Sequence, residues 1–404
     1  MQQQPYTRPV YILFLPLPWG ISTGFISVTL PYLLTHNGFS VATTGGIVAL
    51  GISANIWRFV WGPIADLTLS LRKWFWIGVT AAVVTLFLLC LVPYHTNEST
   101  LIAIMVFLSQ VAGTFVIMPV SSFMAHCIEP HKKGRASGWY QSGNLGGVGL
   151  GGGAGLWLST HFSVLIAGTV LCITCLLSGL VVQLIKDVRP EEGNTLGKQM
   201  KAMGKDLLHM VRVPVVLFVM LLLLMPIGSG AASNLWSAIA GDWHTDADTV
   251  ALVTGVLSGA AGVLGCIAGG YLADRRGVWI AYLGSGAICA LVTIIMAVLP
   301  YHPVEYIGGV LTYSFGLGLL NAAFSSVILY AIGKKNAATK YSLLSSLGNT
   351  PVVYMTTFDG WIHDLHSSKY MLVAEALVGV AFILLCIVII RQMKSRKILP
   401  QAVD

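Results

Sequence analysis

The sequence predicts an all-α membrane protein of twelve transmembrane helices, arranged as two pseudo-symmetric six-helix bundles. Three observations carry that expectation. Of 404 residues, 55% are hydrophobic and only 10% charged, whereas a water-soluble chain is closer to a quarter charged. Apolar runs of about 20 residues, the length that crosses a hydrocarbon core, recur from end to end. Two loops and two spans also echo one another at about half-chain spacing. Helices are the expected elements because they satisfy their backbone hydrogen bonds internally, and lipid offers no other partner.

The spans follow in order. Residues 10–34 form the first. Pro16 and Pro18 interrupt it, no small-residue cleavage site is evident and equally apolar runs follow, so it reads as a span rather than a removable signal. The second, 41–62, ends at Gly62, and the third, 74–92, begins after Arg72-Lys73. The fourth, 101–127, and the fifth, 135–158, flank Lys132-Lys133. The sixth, 162–186, ends on Lys186. A polar stretch over 187–212, with room for a surface helix from Lys198 to Met210, links the halves. The second half has spans over 213–239, 248–272, 278–299, 303–332, 340–362 and 368–391. The expected domains are a six-helix bundle over 1–186, a cytoplasmic linker over 187–212 and a second bundle over 213–404.

With twelve spans, the even-numbered connections share a side with both termini. That side holds 21 of the 23 Lys and Arg residues; Lys369 lies opposite and Arg58 lies inside the second span. Basic loops stay cytoplasmic, so both termini and the linker are expected there. The net charge of +7 is then a matter of topology and of anionic headgroups, and gives no reason to invoke nucleic acid. All seven cysteines fall in or at the ends of apolar runs. They read as small packing residues, with a metal or redox role for Cys172 and Cys175 as the alternative.

The stretch GGYLADRRG, Gly269 to Gly277, ends the eighth span, and GPIAD, Gly62 to Asp66, ends the second. Asp274 follows Asp66 by 208 positions. A second echo aligns HKKGRASGWYQSGNLGG, from His131, with GKKNAATKYSLLSSLGNT, from Gly333. Lys132-Lys133 then matches Lys334-Lys335 and Leu145-Gly146 matches Leu347-Gly348, an offset of 202. The chain is an internal duplication of a six-helix unit. Six is even, so the halves are parallel repeats about an axis along the membrane normal, which favours a transport site between them.

Gly270-x-Leu272-Ala273-Asp274-Arg275-x-Gly277 resembles the signature loop of the major facilitator superfamily, G-x-L-A-D-R-x-G-R, with Val278 replacing the last basic residue. Gly62-x-Ile64-Ala65-Asp66 matches the first half of that loop. Leu67 stands where arginine is expected, and the basic pair arrives at Arg72-Lys73. The resemblance covers the whole chain. It implies the major facilitator fold and a cytoplasmic gating latch at Gly62, Asp66, Arg72, Gly270, Asp274, Arg275 and Gly277. A solvated turn with positive-inside arginines is the plainer account of the same residues. Within the superfamily, NIWRFVWGPIAD (Asn55 to Asp66) is similar to the K-F-L-W-x-P-x-x-D stretch of the muropeptide permease and acetyl-CoA transporter branch. LPYLLTHNGFSVATTG (Leu30 to Gly45) looks like that branch's first loop, and Arg58 stands where the branch has lysine.

Charges inside a bilayer are costly and mark function. Arg58 shares a small, polar face with Gly51, Asn55 and Gly62; snorkelling to the cytoplasmic interface is the alternative. Asp359 belongs to a polar stripe of Ser345, Asn349, Thr356, Asp359 and His363, interrupted only by Val352. Such a stripe turns toward partners or toward an aqueous vestibule. Glu375 lies one to two turns into the twelfth span; it is either a functional carboxyl or a rim partner of Lys369 or His366. Asp359 and Glu375 are the proton-coupling candidates, since a carboxyl out of water is a natural proton carrier. The expected substrate-cavity residues are Trp19, Asn55, Arg58, Gln110, Tyr140, Gln141, Asn144, Asn234, Trp236, Asn321, Asn349 and Tyr354, with interhelical hydrogen bonding as the alternative for each. Helix breakers at Pro16 and Pro18, at Pro226 and over Gly348 to Pro351 are expected bending points or sites of freed backbone groups.

GGVGLGGGAG, Gly146 to Gly155, contains a G-x-G-x-x-G match at 147, 149 and 152. No strand precedes it and it sits mid-membrane, so it reads as close helix packing rather than nucleotide binding. No Walker motif, H-E-x-x-H spacing or nucleophile elbow occurs, so an ATP-driven pump and an enzyme are disfavoured and no cofactor or metal is expected. The expectation is a secondary active transporter, symporter or antiporter. It would move a small organic solute by rocking its halves, coupled to protons, as a monomer in the lipid bilayer of a bacterial inner membrane. Arg58, the sole clear cation within a span, favours a neutral or lightly charged solute such as a sugar–peptide fragment or an amphipathic compound. Two rivals stand beside it. A receptor or scaffold with this fold would lack a substrate cavity or stay locked in one state. A passive facilitator would fail to concentrate solute in liposomes.

Overall fold

The computed structural model describes residues 7–58, 69–128, 133–187, 212–332 and 343–395, with isolated positions at 197, 201, 204, 205, 208 and 210. All regular structure among them is helical. Gly62, Asp66 and most of the expected 198–210 surface helix lie outside the described residues.

Helical segments, labelled in chain order, fall in each expected span. They are α1 (Pro9–His36), α2 (Val41–Ser53), α3 (Leu71–Leu91), α4 (Ser99–Cys127), α5 (133–161) and α6 (Val164–Leu184). The second half supplies α7, beginning with Pro214–Leu223, then α8 (Ala247–Ala273), α9 (Val278–Val298), α10 (Pro303–Ile332), α11 (Asn349–Leu365) and α12 (Ser368–Ser395). Eight of them are long and apolar enough to cross a membrane: α1, α3, α4, α6, α8, α9, α10 and α12. The other four are short of that for visible reasons. Regular α2 gives way after Ser53 to turns over 54–57, α5 is rich in glycine, α7 breaks near Pro226 and α11 carries the polar stripe.

Local chemistry sets several boundaries. Ser70 and Ser163 cap α3 and α6, their hydroxyls accepting from the Lys73 and Ile166 amides. Pro214 opens α7, where its missing N–H costs nothing. Gly277 joins α8 to α9 with φ +86°, a backbone region that side chains disfavour.

Contacts divide the chain into two compact units. One comprises Met1–Phe39, Leu50–Gln199 and Ala247–Gly259; the other comprises Ser40–Ala49, Met200–Asp246 and Ala260–Asp404. Each follows one half of the sequence except for a piece of α2 and a piece of α8. The exchanged pieces are equivalents in the duplication. At the 208-residue offset Ser40 corresponds to Asp248 and Ala49 to Leu257.

In the first unit, Phe75, Val79, Val116, Phe123 and Val182 build a core against Ile12 and Leu15 of α1. Close approach of α1 and α5 rests on a glycine stripe. Gly143, Gly147 and Gly151 are four residues apart and so share one face. A Cβ at any of them would overlap the α1 backbone near Leu13, Gly20 or Ile21. Gly153, on another face, meets Gly255 and Ala251 of α8. The glycine run is thus helix packing on two sides, and a π-helical turn at Leu150–Ala154 lies within it. In the second unit, Val219, Leu222, Ala281, Ala323, Val327, Leu344 and Cys386 form the corresponding core.

Candidate functional site

The second unit holds the charged interior, and its geometry begins at the break in α7. Regular helix ends at Leu223, and short turns resume over Ala231–Asn234 and Trp236–Ile239. Pro226 cannot donate a backbone bond. Gly228 and Gly230 adopt φ +55° and +78°, which other residues would resist. A broken helix leaves backbone groups to be satisfied from elsewhere. Here the Tyr354 hydroxyl donates to the Leu224 carbonyl at 2.9 Å, and the Tyr306 hydroxyl donates to the Trp236 carbonyl at 2.9 Å.

Glu375 of α12 faces the same break. The Tyr313 hydroxyl of α10 donates to its Oε1 at 2.8 Å. The Ala232 amide and Ser229 hydroxyl lie toward the carboxylate, yet Oε2 has no hydrogen-bond partner among the described residues. Trp236 packs edge-on to Tyr313, with ring centroids 5.4 Å apart, and its indole N–H is also unpartnered among those residues. Asp359 of α11 is completely buried. Neither of its oxygens has a hydrogen-bond partner among the described residues, and it lies near enough to Glu375 to feel its charge. The Asn234 amide donates to the Thr356 hydroxyl at 3.1 Å, one turn before Asp359. A cavity of about 10 Å³, the space of one water, opens among Pro226, Gly228, Cys289, Thr293, Tyr313 and Glu375. Two buried carboxyls and a phenol donor thus lie against a discontinuous helix, and a buried carboxyl is a group able to hold a proton.

The other expected cavity residues are spread more widely. In the first unit the Gln110 amide donates to Ser22 at 3.1 Å, Thr23 donates to Gln110 at 3.3 Å, and Ser22 pairs with Ser109. Trp19 packs on Gly113, its N–H unpartnered among the described residues. The side-chain oxygens of Asn55 and Asn144 likewise lack partners there. Arg58 and Tyr140 are half-buried, and Gln141 is exposed. In the second unit Asn321 is exposed, and Asn349 donates to the Ser345 carbonyl just before α11, at 3.0 Å.

Of the expected gating residues, Arg72 donates from its guanidinium to the Ile185 carbonyl at 2.6 Å, while its backbone amide donates to Asp187 at 3.0 Å. It ties the start of α3 to the end of α6. Arg275 lies 4.2 Å from the Tyr271 ring centroid and is exposed. Gly270 is half-buried, and the side chain of Asp274 lies outside the described set.

A second polar cluster lies at the other end of the second unit. Asp364 of α11 accepts from the Val41 amide at 3.0 Å and the Ala42 amide at 2.9 Å, capping α2. His363 places Nδ1 3.3 Å from Asp364 Oδ1 and Nε2 3.3 Å from Asp242 Oδ2. The Ser368 hydroxyl donates to Asp242. Burial alone would raise the Asp242 and Asp364 pKa values. Hydrogen bonds from His363 and Ser368, and from Ser40, Ala42 and His363 respectively, outweigh it and hold both below the usual carboxylate range. Burial likewise disfavours charged His363, but its bonds to Asp242 and Asp364 win and raise its pKa.

The comparisons with known proteins agree with this architecture. A sequence profile described as Major Facilitator Superfamily matches residues 13–356. The chain belongs to the major facilitator superfamily. It is therefore an integral, multi-pass membrane transporter rather than an enzyme. No curated protein sequence matches it significantly. Solved structures do. A bacterial homologue of the human lysosomal transporter Spinster shares 13% identity over 94% of this chain and 96% of its own, with a TM-score of 0.74. The nucleoside transporter NupG, as its D323A mutant, shares 13% identity over 94% and 98%, with a TM-score of 0.72. A D-xylose–proton symporter shares 14% identity over 94% and 96%, with a TM-score of 0.71. At these identities the likeness is one of fold.

Sequence reasoning did not single out Tyr313, Ser229, Asp242 or Asp364. The partners of Glu375 and of α2 are fixed by packing between helices far apart in the chain. One local signal was available: Ser40 and Thr43 at the start of α2 mark a helix N-terminus, where a carboxylate is favoured.

Proposed function

We propose that this superfamily member is a secondary active transporter, moving a small organic solute by alternating access and driven by protons bound at Asp359 and Glu375. One observation carries the reading. Both oxygens of buried Asp359 lack a hydrogen bond among the described residues, and Glu375 Oε2 has only the looser approach of the Ala232 amide and Ser229 hydroxyl. Uncompensated buried charge costs several kcal/mol per ion, about what a transport cycle can exchange for a conformational change. Binding a proton removes that charge. Glu375 also lies against the break in α7, so its charge state bears on the shape of a discontinuous helix, the kind of element that builds transporter sites. The D-xylose–proton symporter among the structural neighbours indicates that the fold accommodates such coupling.

The basic residues orient the chain with both termini and the 187–212 linker in the cytoplasm, as a monomer in a bacterial inner membrane. Rocking of the halves 1–186 and 213–404 alternates access, with the loops at Asp66 and Asp274 acting on the cytoplasmic side. With Arg58 the one clear cation inside a span, the solute is neutral or lightly charged. A sugar–peptide fragment fits the resemblance of α1 and α2 to the muropeptide permease branch, and an amphipathic compound being exported fits the same polarity.

The test is transport by purified protein in liposomes, after a thermal-shift screen of sugar–peptide and amphipathic compounds has supplied a ligand. An imposed pH gradient should drive accumulation above equilibrium. Equilibration without accumulation would identify a passive facilitator, and ligand binding without flux a receptor.

A further inference from the structure

We propose that Asp242, His363 and Asp364 form a proton-binding latch that fastens the start of α2 to the end of α11. The proposal rests on the transporter reading in taking this end of the helices as the outer gate. The first amides of a helix have no acceptor within it. Asp364 supplies one for both Val41 and Ala42, at 3.0 and 2.9 Å, from 322 or more positions away in the chain. The helices meet closely here. A Cβ on Gly45 would press on the Thr356 carbonyl, and one on Gly360 on the Val41 carbonyl.

His363 makes the contact conditional on a proton. Both of its ring nitrogens face carboxylate oxygens at 3.3 Å. A neutral imidazole has one N–H and one lone pair, so it serves only one of them; the imidazolium serves both. Loss of the proton turns a lone pair toward a carboxylate and releases either Asp242 or Asp364. The titratable groups around it are Asp242 and Asp364 on either side, with His244 and Tyr301 near Asp242. Burial works against the charged ring, and the two aspartates more than offset it, placing the pKa of His363 above its ordinary value of about 6.5. The latch is therefore complete below about pH 6.5, and as pH rises through that elevated value it loses the imidazolium and with it one of the two aspartate contacts, which loosens it. At the acid end it persists until the aspartates protonate, below the ordinary carboxylate range.

The duplication supports a gate role. His161, at the end of α5, precedes His363 by 202 positions, the repeat offset, and lies 3.7 Å from Asp248 at the start of α8. Asp248 corresponds to Ser40 at the α2/α8 offset of 208. Both halves thus put a histidine at the same end of equivalent helices, facing the start of α2 or α8. The His161 pair is 42% and 59% exposed, so solvent screens it; His363 is 17% exposed and linked to two carboxylates, Asp364 at 25% and Asp242 at 44%.

The experiment uses full-length protein in nanodiscs, with native cysteines replaced and spin labels at Thr43→Cys and Tyr370→Cys, both at exposed positions. Distances are measured from pH 5 to 9. A short, narrow distribution at acid pH that lengthens or broadens at alkaline pH is expected. His363→Gln should lose the pH dependence, Asp242→Asn should move the midpoint to lower pH, and Asp364→Asn should give the long, broad distribution at every pH. A parent protein indifferent to pH, or a His363→Gln variant that keeps the parent's response, would overturn the latch. The readout needs no transported solute, so failure of the transporter reading leaves it intact and interpretable.

Discussion

The Tyr313 hydroxyl donates to Glu375 across 2.8 Å, joining α10 to α12 beside the break in α7. Tyr313→Phe keeps the ring and removes the donor. It should destabilise the protein by about 1–3 kcal/mol, the cost of stranding a buried acceptor, seen as a lower thermal unfolding temperature. Glu375→Gln keeps an oxygen to accept that bond. It should stay near parental stability while losing pH-gradient-driven uptake. An unchanged Glu375→Gln uptake profile would remove this residue from the coupling mechanism.

Under the proposed coupling, Asp359 should separate driven from passive movement. Asp359→Asn removes the ionisable group at nearly constant volume. Gradient-driven accumulation should fall to simple equilibration, while solute exchange at equal pH on both sides continues. Accumulation that survives the substitution would dismiss Asp359 as a proton site.

Two neighbouring glycines should behave oppositely. Gly151→Ala drives a methyl into the α1 backbone at Ile21, and overpacking of this kind costs about 1–3 kcal/mol or more. At Gly146 the place a methyl would take has no atom within 4 Å beyond its own stretch of helix. Replacing that glycine with alanine inside a helix should therefore gain about 0.5–1 kcal/mol. Thermal unfolding of the two variants in the same detergent measures both effects.

Arg72 carries a structural duty whatever its part in gating. Its guanidinium holds the Ile185 carbonyl at 2.6 Å, and a hydrogen bond from a charged group contributes about 1.5–3 kcal/mol. Arg72→Ala should lower the unfolding temperature measurably, and Arg72→Lys should recover part of the loss, since an ammonium can still donate.

Much of the architecture was legible in the sequence because lipid imposes simple rules. Apolar length pointed to helices that are present in every expected span, eight of them long and apolar enough to cross a membrane among the described residues; the basic loops proposed a topology, and the 202- and 208-residue echoes proposed a duplication. Pro226 marked the break in α7, and glycines at 143, 147 and 151 already shared a helical face. The carboxyls Asp359 and Glu375 stood out because charge is rare in spans. Their surroundings were not legible. Glu375 reads from sequence equally well as a rim residue beside Lys369 or His366, yet it is buried and bonded to Tyr313, 62 positions away. Asp364 sits one residue off the α11 polar stripe, so helical periodicity passed over it. Its importance arises only where α2 begins beside it.

The helices α2 and α8 each contribute to both compact units, dividing after Ala49 in one and after Gly259 in the other, 210 positions apart and so within two residues of equivalence at the 208-residue offset. One ancestral helix thus serves two neighbourhoods in each of its copies, and a substitution beside either division bears on both.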